Sequence, residues 1–179
     1  MKRIQIACVV ILAGFALFTQ TSHAQFDNHK MFLGPVVVLA TDPVGFGAEL
    51  EVGVSDNVGV GGMIRYWGKS FSSSAYDWKW SIIMPQVVGY YHFMPRQQLD
   101  PYAGARLGYA IYSSSVTDHG FGYAFSDGSA GGMFLNAAGG LRYFFNHSIS
   151  VNGSLEFRIA GTDYFGGSLG FILGLDFTL

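Results

Sequence analysis

The stretch SISVNGSLEFRIAG, Ser148 to Gly161, places Ile149, Val151, Gly153, Leu155, Phe157 and Ile159 on odd positions and Ser150, Asn152, Ser154, Glu156 and Arg158 on even ones. Successive side chains of a strand point to opposite faces, so this segment reads as a strand with one apolar and one polar face. In a water-soluble barrel the apolar face turns inward, whereas in a membrane barrel it turns outward to lipid. The fold depends on which applies.

Other segments repeat the pattern. PYAGARLGYAIY sets Ala103, Ala105, Leu107, Tyr109 and Ile111 opposite Tyr102, Gly104, Arg106, Gly108 and Tyr112. GMFLNAAGGLRYF sets Met133, Leu135, Ala137, Leu141 and Tyr143 opposite Phe134, Asn136, Gly140 and Arg142. The final LGFILGLDFTL alternates Leu or Phe with Gly170, Ile172, Gly174, Asp176 and Thr178, while FGAELEVGV and VGVGGMIRYW carry Glu49, Glu51 and Arg65 on their polar faces. Each apolar face is free of charge, as lipid requires, and the opposite faces are dominated by residues small enough for a narrow interior. The grease therefore faces out, and the pattern predicts a transmembrane β-barrel.

Composition agrees. Charged residues make up 12% of the 179-residue chain and aromatics 16%, with 25 glycines. A typical soluble domain carries about 25% charged residues, so a large surface of this chain must face something other than water. The N-terminus reads as a secretory signal peptide over residues 1–24: MKR is the basic start, IQIACVVILAGFALF the apolar centre and Ser22-His23-Ala24 the cleavage pattern. Cleavage there leaves a domain of residues 25–179 without cysteine, since Cys8 is the only one. Removing Lys2 and Arg3 takes ten basic residues to eight against twelve acidic, a formal charge of −4 and no footprint for nucleic acid.

After the signal, no apolar run approaches the roughly 20 residues of a spanning helix. Segments of about ten residues, the length of a tilted membrane strand, are instead expected near 30–40, 46–54, 58–67, 78–93, 101–113, 131–145, 148–160 and 167–179. Eight strands in an up-and-down antiparallel order return both termini to one side. The connections 55–57, 94–100 and 146–148 then become periplasmic turns, and 41–45, 68–77, 114–130 and 161–166 outer loops. Tyr66, Trp67, Trp78 and Trp80 are expected in an outer aromatic girdle, and Tyr90, Tyr91, Phe93, Tyr143, Phe144 and Phe145 in an inner one. In WKWSIIMPQVVGYYHF the apolar phase shifts from even to odd near Pro85, which predicts a bulge there. MFLGPVVVLA is apolar on both faces and has no legible phase.

Facing inward on this reading are Arg65, Arg106, Arg142 and Arg158 against Glu49, Glu51, Glu156 and Asp176. Enclosed charges are costly unless paired, so a balanced set points to a filled interior rather than a charge-selective pore. The longest outer segment carries Tyr112, Asp118, His119, Phe121, Tyr123 and Phe125 in a Ser- and Gly-rich context, which suits contact with an extracellular molecule.

DPYAGARLGY (100–109), GGLRYFFNHSISVNGSLEFR (139–158) and the last strand with Phe177 and Leu179 resemble the outer-membrane β-barrel domain family, the small eight-stranded proteins similar to OmpX and the barrel of OmpA. The resemblance covers residues 26–179. It implies a monomeric barrel in the outer membrane of a Gram-negative-type cell, among outer-membrane lipid and lipopolysaccharide, with no cofactor. It also implies recognition of the C-terminal strand by the barrel assembly machinery. The family's last residue is usually Phe, and here it is Leu179.

Three functions are weighed. The first is a non-enzymatic barrel acting in envelope integrity or surface interaction through its outer loops. The second is a small pore for small or hydrophobic solutes, as OmpW-type barrels suggest. The third is a lipid A-modifying enzyme, for which His147-Ser148 and Asp118-His119 near Ser113 to Ser115 are the nearest constellations. His147 falls on the periplasmic side, away from the outer leaflet, with Ser148 directly adjacent and no suitable spacing to a further carboxylate, and Asp118-His119 falls on the outer side but is a pair common in polar loops. The scattered histidines show no ligand spacing, so no metal is expected.

Overall fold

The computed structural model describes residues 26–39, 44–118, 128–161 and 169–179. The expected signal peptide lies outside them, as do His119, Phe121, Tyr123 and Phe125 of the expected contact loop. Eight strands follow in chain order: β1 (Met31–Val38), β2 (Gly45–Gly53), β3 (Val58–Ser72), β4 (Tyr76–His92), β5 (Leu99–Asp118), β6 (Gly128–Phe144), β7 (Ile149–Gly161) and β8 (Leu169–Thr178). Each pairs antiparallel with its sequence neighbour, and β1 closes on β8 from Phe32↔Thr178 to Val38↔Ile172. The result is the all-β, eight-stranded up-and-down barrel that the alternation predicts.

The wall is apolar on the outside. Leu33, Ile64, Val87, Leu107, Met133, Leu155, Phe157, Leu169 and Leu173 are all exposed on outward-facing positions. Closure leaves no strand of the barrel without a partner on either side, which is what lipid demands of a spanning sheet. At the periplasmic rim Tyr91 meets Phe93, and Tyr143 meets Phe145, each pair edge to face with centroids 5.3 Å apart.

Several expectations are corrected. The predicted girdle residues Trp67, Tyr90 and Phe144 are buried inside the barrel, and Trp80 packs against the interior. No bulge forms at Pro85, because β4 keeps one register with β5 from Trp78↔Val116 to His92↔Tyr102. The pairing is only interrupted between Ile83↔Ile111 and Gln86↔Gly108, where proline has no N–H to give. Even-numbered Ile82 and Met84 point inward, so the apolar face seen in the sequence at this end of β4 is the interior face. The phase of β1 is now set: Phe32, Gly34, Val36 and Val38 face in, and Met31, Leu33, Pro35 and Val37 face lipid.

The strands are also longer than expected on one side. β3 to β6 have 15, 17, 20 and 17 residues, against 8 and 9 for β1 and β2. Most of the expected outer loop 68–77 is strand, turned at Ser73, whose Oγ accepts from the N–H groups of Ala75 and Tyr76. Residues 114–118 and 128–130 likewise belong to β5 and β6. Ser, Thr and Gly at these positions mimic a loop composition, but cross-strand pairing keeps the ladder going.

Candidate functional site: the barrel interior

The interior is layered along the barrel axis. At the periplasmic mouth Phe26, Phe32 and Phe144 form an aromatic cap. Phe26 is tied down by its N–H to the Pro95 carbonyl at 2.8 Å and stacks on the His92 imidazole with centroids 3.7 Å apart. Phe32 stacks on Phe26 and meets Phe144 edge-on.

Above the cap runs the first charged chain. His92 Nδ1 is 2.6 Å from Asp100 Oδ2, and its Nε2 is 2.7 Å from Glu51 Oε1. Glu51 Oε2 accepts from Arg142 Nη2 at 2.6 Å, and Arg142 Nε donates to Asp176 at 3.1 Å. Asn152 Nδ2 also donates to Asp176, at 2.7 Å. The Arg142 guanidinium lies 4.7 Å from the centre of the Phe32 ring, so cap and network share a face. Two inward glycines make room: a Cβ on Gly59 would run into Glu51, and one on Gly174 into Asn152.

The second cluster centres on Glu156. Its Oε1 accepts from Arg65 Nη1 at 2.6 Å, and its Oε2 from Arg106 Nη1 at 3.2 Å and Asn136 Nδ2 at 3.1 Å. Arg106 also donates to the Tyr90 hydroxyl at 2.7 Å and to Ser154 Oγ at 3.0 Å. Glu49 is buried in the same region beside Arg106 and Tyr90. Arg158 is half-buried, donating to Asn136 Oδ1 at 3.4 Å over the Phe134 ring. All eight charged residues assigned to the interior from sequence therefore face it, and they gather into these two clusters.

Two members stand outside the expected interior set: the sequence reading places Asp100 in a periplasmic turn and leaves the facing of His92 unassigned. The signal was present: Asp100 continues the inward phase of Tyr102, Gly104 and Arg106, and His92 continues that of Tyr90.

Toward the outer end the lumen turns apolar. Val36, Val38, Trp67, Ile82, Met84, Ala110, Phe134 and Ile172 pack together, with Trp80 and Tyr112 against them. Tyr112, assigned from sequence to the outer contact loop, thus lies on the interior face. The ion networks are thus paired within themselves and lie between two apolar layers.

The arrangement shows no activated nucleophile among the described residues. Both His92 nitrogens are taken by carboxylates, whereas a general base needs one free to accept a proton. His147 and Ser148 are exposed in the β6–β7 turn, where Asn146 Oδ1 accepts from the Ser148 and Ile149 N–H groups. No group of three or more His, Cys, Asp or Glu among the described residues is placed to hold a metal ion.

No protein-family model matches the sequence, and no curated protein matches it. Solved structures do match by shape. The N-terminal β-barrel domain of Pseudomonas aeruginosa OprF superposes with a TM-score of 0.66 at 16% identity, over 86% of this chain and 100% of that one. OprG from the same organism gives 0.60 at 10% identity, over 88% and 99%. Ail, the attachment invasion locus protein of Yersinia pestis, gives 0.55 at 14% identity, over 86% and 100%. The shared feature is the fold, a closed eight-stranded antiparallel meander. With an apolar outer band on a closed eight-stranded meander, this chain is an eight-stranded transmembrane β-barrel of the outer-membrane type.

Proposed function

We propose that the protein is a non-enzymatic, non-conducting integral outer-membrane protein that acts in envelope integrity or surface interaction through its outer loops. The observation that carries the reading is the double seal: Phe26, Phe32 and Phe144 at one end and the Val36–Trp67–Ile82–Phe134 layer at the other, with paired ions between. Eight strands enclose a lumen that side chains can fill, and the two apolar clusters with the ion pairs between them support that reading. A pore for small or hydrophobic solutes would have to displace both layers. Closure by β1 and β8 satisfies the sheet within one chain, which supports a monomer. The outward Phe177 near the end of β8 supports handling by the barrel assembly machinery.

The test is planar-bilayer recording on refolded protein whose heat-dependent gel shift shows a closed barrel. Silence is expected from the wild type. Unit conductance whose size or ion selectivity changes in Arg106→Glu would overturn the reading and make the protein a pore. The loop part is tested by deleting residues 119–127 in cells. If detergent resistance and surface binding both stay at the level of the full chain, the loops are not the working part.

A further inference from the structure

The outward face of the barrel changes character abruptly at its outer end. The last apolar row runs Tyr66↔Ile83, Ile83↔Ile111 and Ile111↔Gly131 across β3 to β6. One step further out the paired row is Gly68↔Ser81, Ser81↔Ser113 and Ser113↔Ser129. Beyond it stand Ser70↔Lys79 and Lys79↔Ser115, then Ser72↔Asp77 and Asp77↔Thr117. Alternation puts all of these on the lipid-side face, so β4, β5 and β6 switch from hydrocarbon-compatible to hydroxyl-bearing residues in one register step, and β3 follows at Ser70. That line is where acyl chains end and lipid head groups begin.

Two tyrosines point along the wall toward this line. A Cβ on Gly68 would sit 2.5 Å from the Tyr66 hydroxyl, and one on Gly131 the same distance from the Tyr109 hydroxyl. The missing side chains let both rings lie along the wall, the Tyr66 hydroxyl in the Ser81–Ser113 row and the Tyr109 hydroxyl one row below it, beside Gly131. Beside the Tyr66 hydroxyl is an open cleft of about 430 Å³, lined by Lys69, Ser70, Lys79, Ser81, Ser113 and Ser115 together with Tyr66, Gly68 and Trp80. Lys79 is exposed and has no ion-pair partner among the described residues.

We infer that this cleft binds the phosphorylated saccharide head group of an outer-leaflet glycolipid, with Lys79 and the Ser81 and Ser113 hydroxyls on the phosphate and the outer hydroxyl row on the sugar. An ammonium group amid hydroxyl donors suits an oxyanion, and the position at the end of the apolar band is the depth of a head-group phosphate. The hydroxyl rows that continue outward fit a sugar better than a small phospholipid head. The inference rests on the reading that this end of the barrel faces the outer leaflet, but not on whether the barrel conducts.

The experiment is native mass spectrometry of the folded, heat-modifiable full barrel in detergent, titrated with diphosphorylated lipid A, dephosphorylated lipid A or phosphatidylglycerol. Diphosphorylated lipid A is expected to bind best, and Lys79→Gln and Ser81→Ala/Ser113→Ala each to weaken it about fivefold with the gel shift unchanged. These side chains point away from the core, so both variants retain the fold. Equal binding by either variant, or by dephosphorylated lipid A, would overturn the site. Equal binding of phosphatidylglycerol would overturn the glycolipid as its occupant. Channel activity in the bilayer recording would sink the non-conducting reading and leave this result standing.

Discussion

Arg142 on β6 and Glu51 on β2 meet at 2.6 Å although their strands are not neighbours in the barrel. The ion pair crosses the lumen and ties opposite walls together, a link that the ladder of adjacent strands cannot supply. Arg142 holds Asp176 as well, so one guanidinium anchors carboxylates from β2 and β8.

Arg142→Met should therefore leave two buried carboxylates without their cation. Removing one partner of a buried pair costs about 3–5 kcal/mol. Urea unfolding followed by the gel shift should show a loss of that order, much larger than for Arg96→Met, whose partner Asp56 lies on the exposed periplasmic surface.

Each of the two apolar layers is expected to be sufficient to block ions. Phe26→Ala removes the ring stacked on His92 and should cost about 3 kcal/mol in stability while the bilayer stays silent. Current should appear only when the outer layer is also cut, as in Phe26→Ala/Trp67→Ala/Phe134→Ala. Current from Phe26→Ala alone would show that the outer layer is not a seal.

Pro85 interrupts the β4–β5 ladder without shifting its register. Pro85→Ala restores one N–H facing β5 and should leave stability within about 1 kcal/mol of the parent, on the stable side. Amide exchange should find the new N–H protected. A large destabilisation would mean that proline is holding a distortion there.

The membrane boundary predicts where arginine is tolerated. Leu155→Arg on the lipid face should cost about 2–4 kcal/mol. Ser115→Arg, beyond the hydroxyl row, should cost close to nothing. Comparing refolding midpoints in vesicles checks both.

How far the sequence could be read follows from what each strand faces. On β7 the inward Ser150, Asn152, Ser154 and Glu156 oppose lipid-facing Ile and Leu, so polarity alone sets its phase. On β4 that contrast fails, because Ile82, Met84 and Val88 face inward while Ile83 and Val87 face lipid. Inward and outward residues are then equally apolar, and an even-to-odd change in hydropathy imitates a bulge. β1 is ambiguous for the same reason, since Val36 and Val38 belong to the outer apolar layer. The charged set was legible because arginine and carboxylates have no place in lipid. The pairing was not, since Glu156 meets Arg65 and Arg106 through the closure of the barrel rather than through sequence spacing. His92 and Asp100 sit at a strand end, where a turn and an inward position share the same composition.

The double seal has a further consequence for how the molecule meets its surroundings. Mobile ions weaken attraction between charges only where they can diffuse close, over about 8 Å at physiological salt. Arg142, Glu51, His92 and Asp100 lie behind aromatic rings, and Arg65 and Glu156 beneath a hydrocarbon layer. Their attraction is insulated from brine and fresh water alike. A swing in external salinity should thus act mainly on the rims of this barrel and far less on its internal pairs.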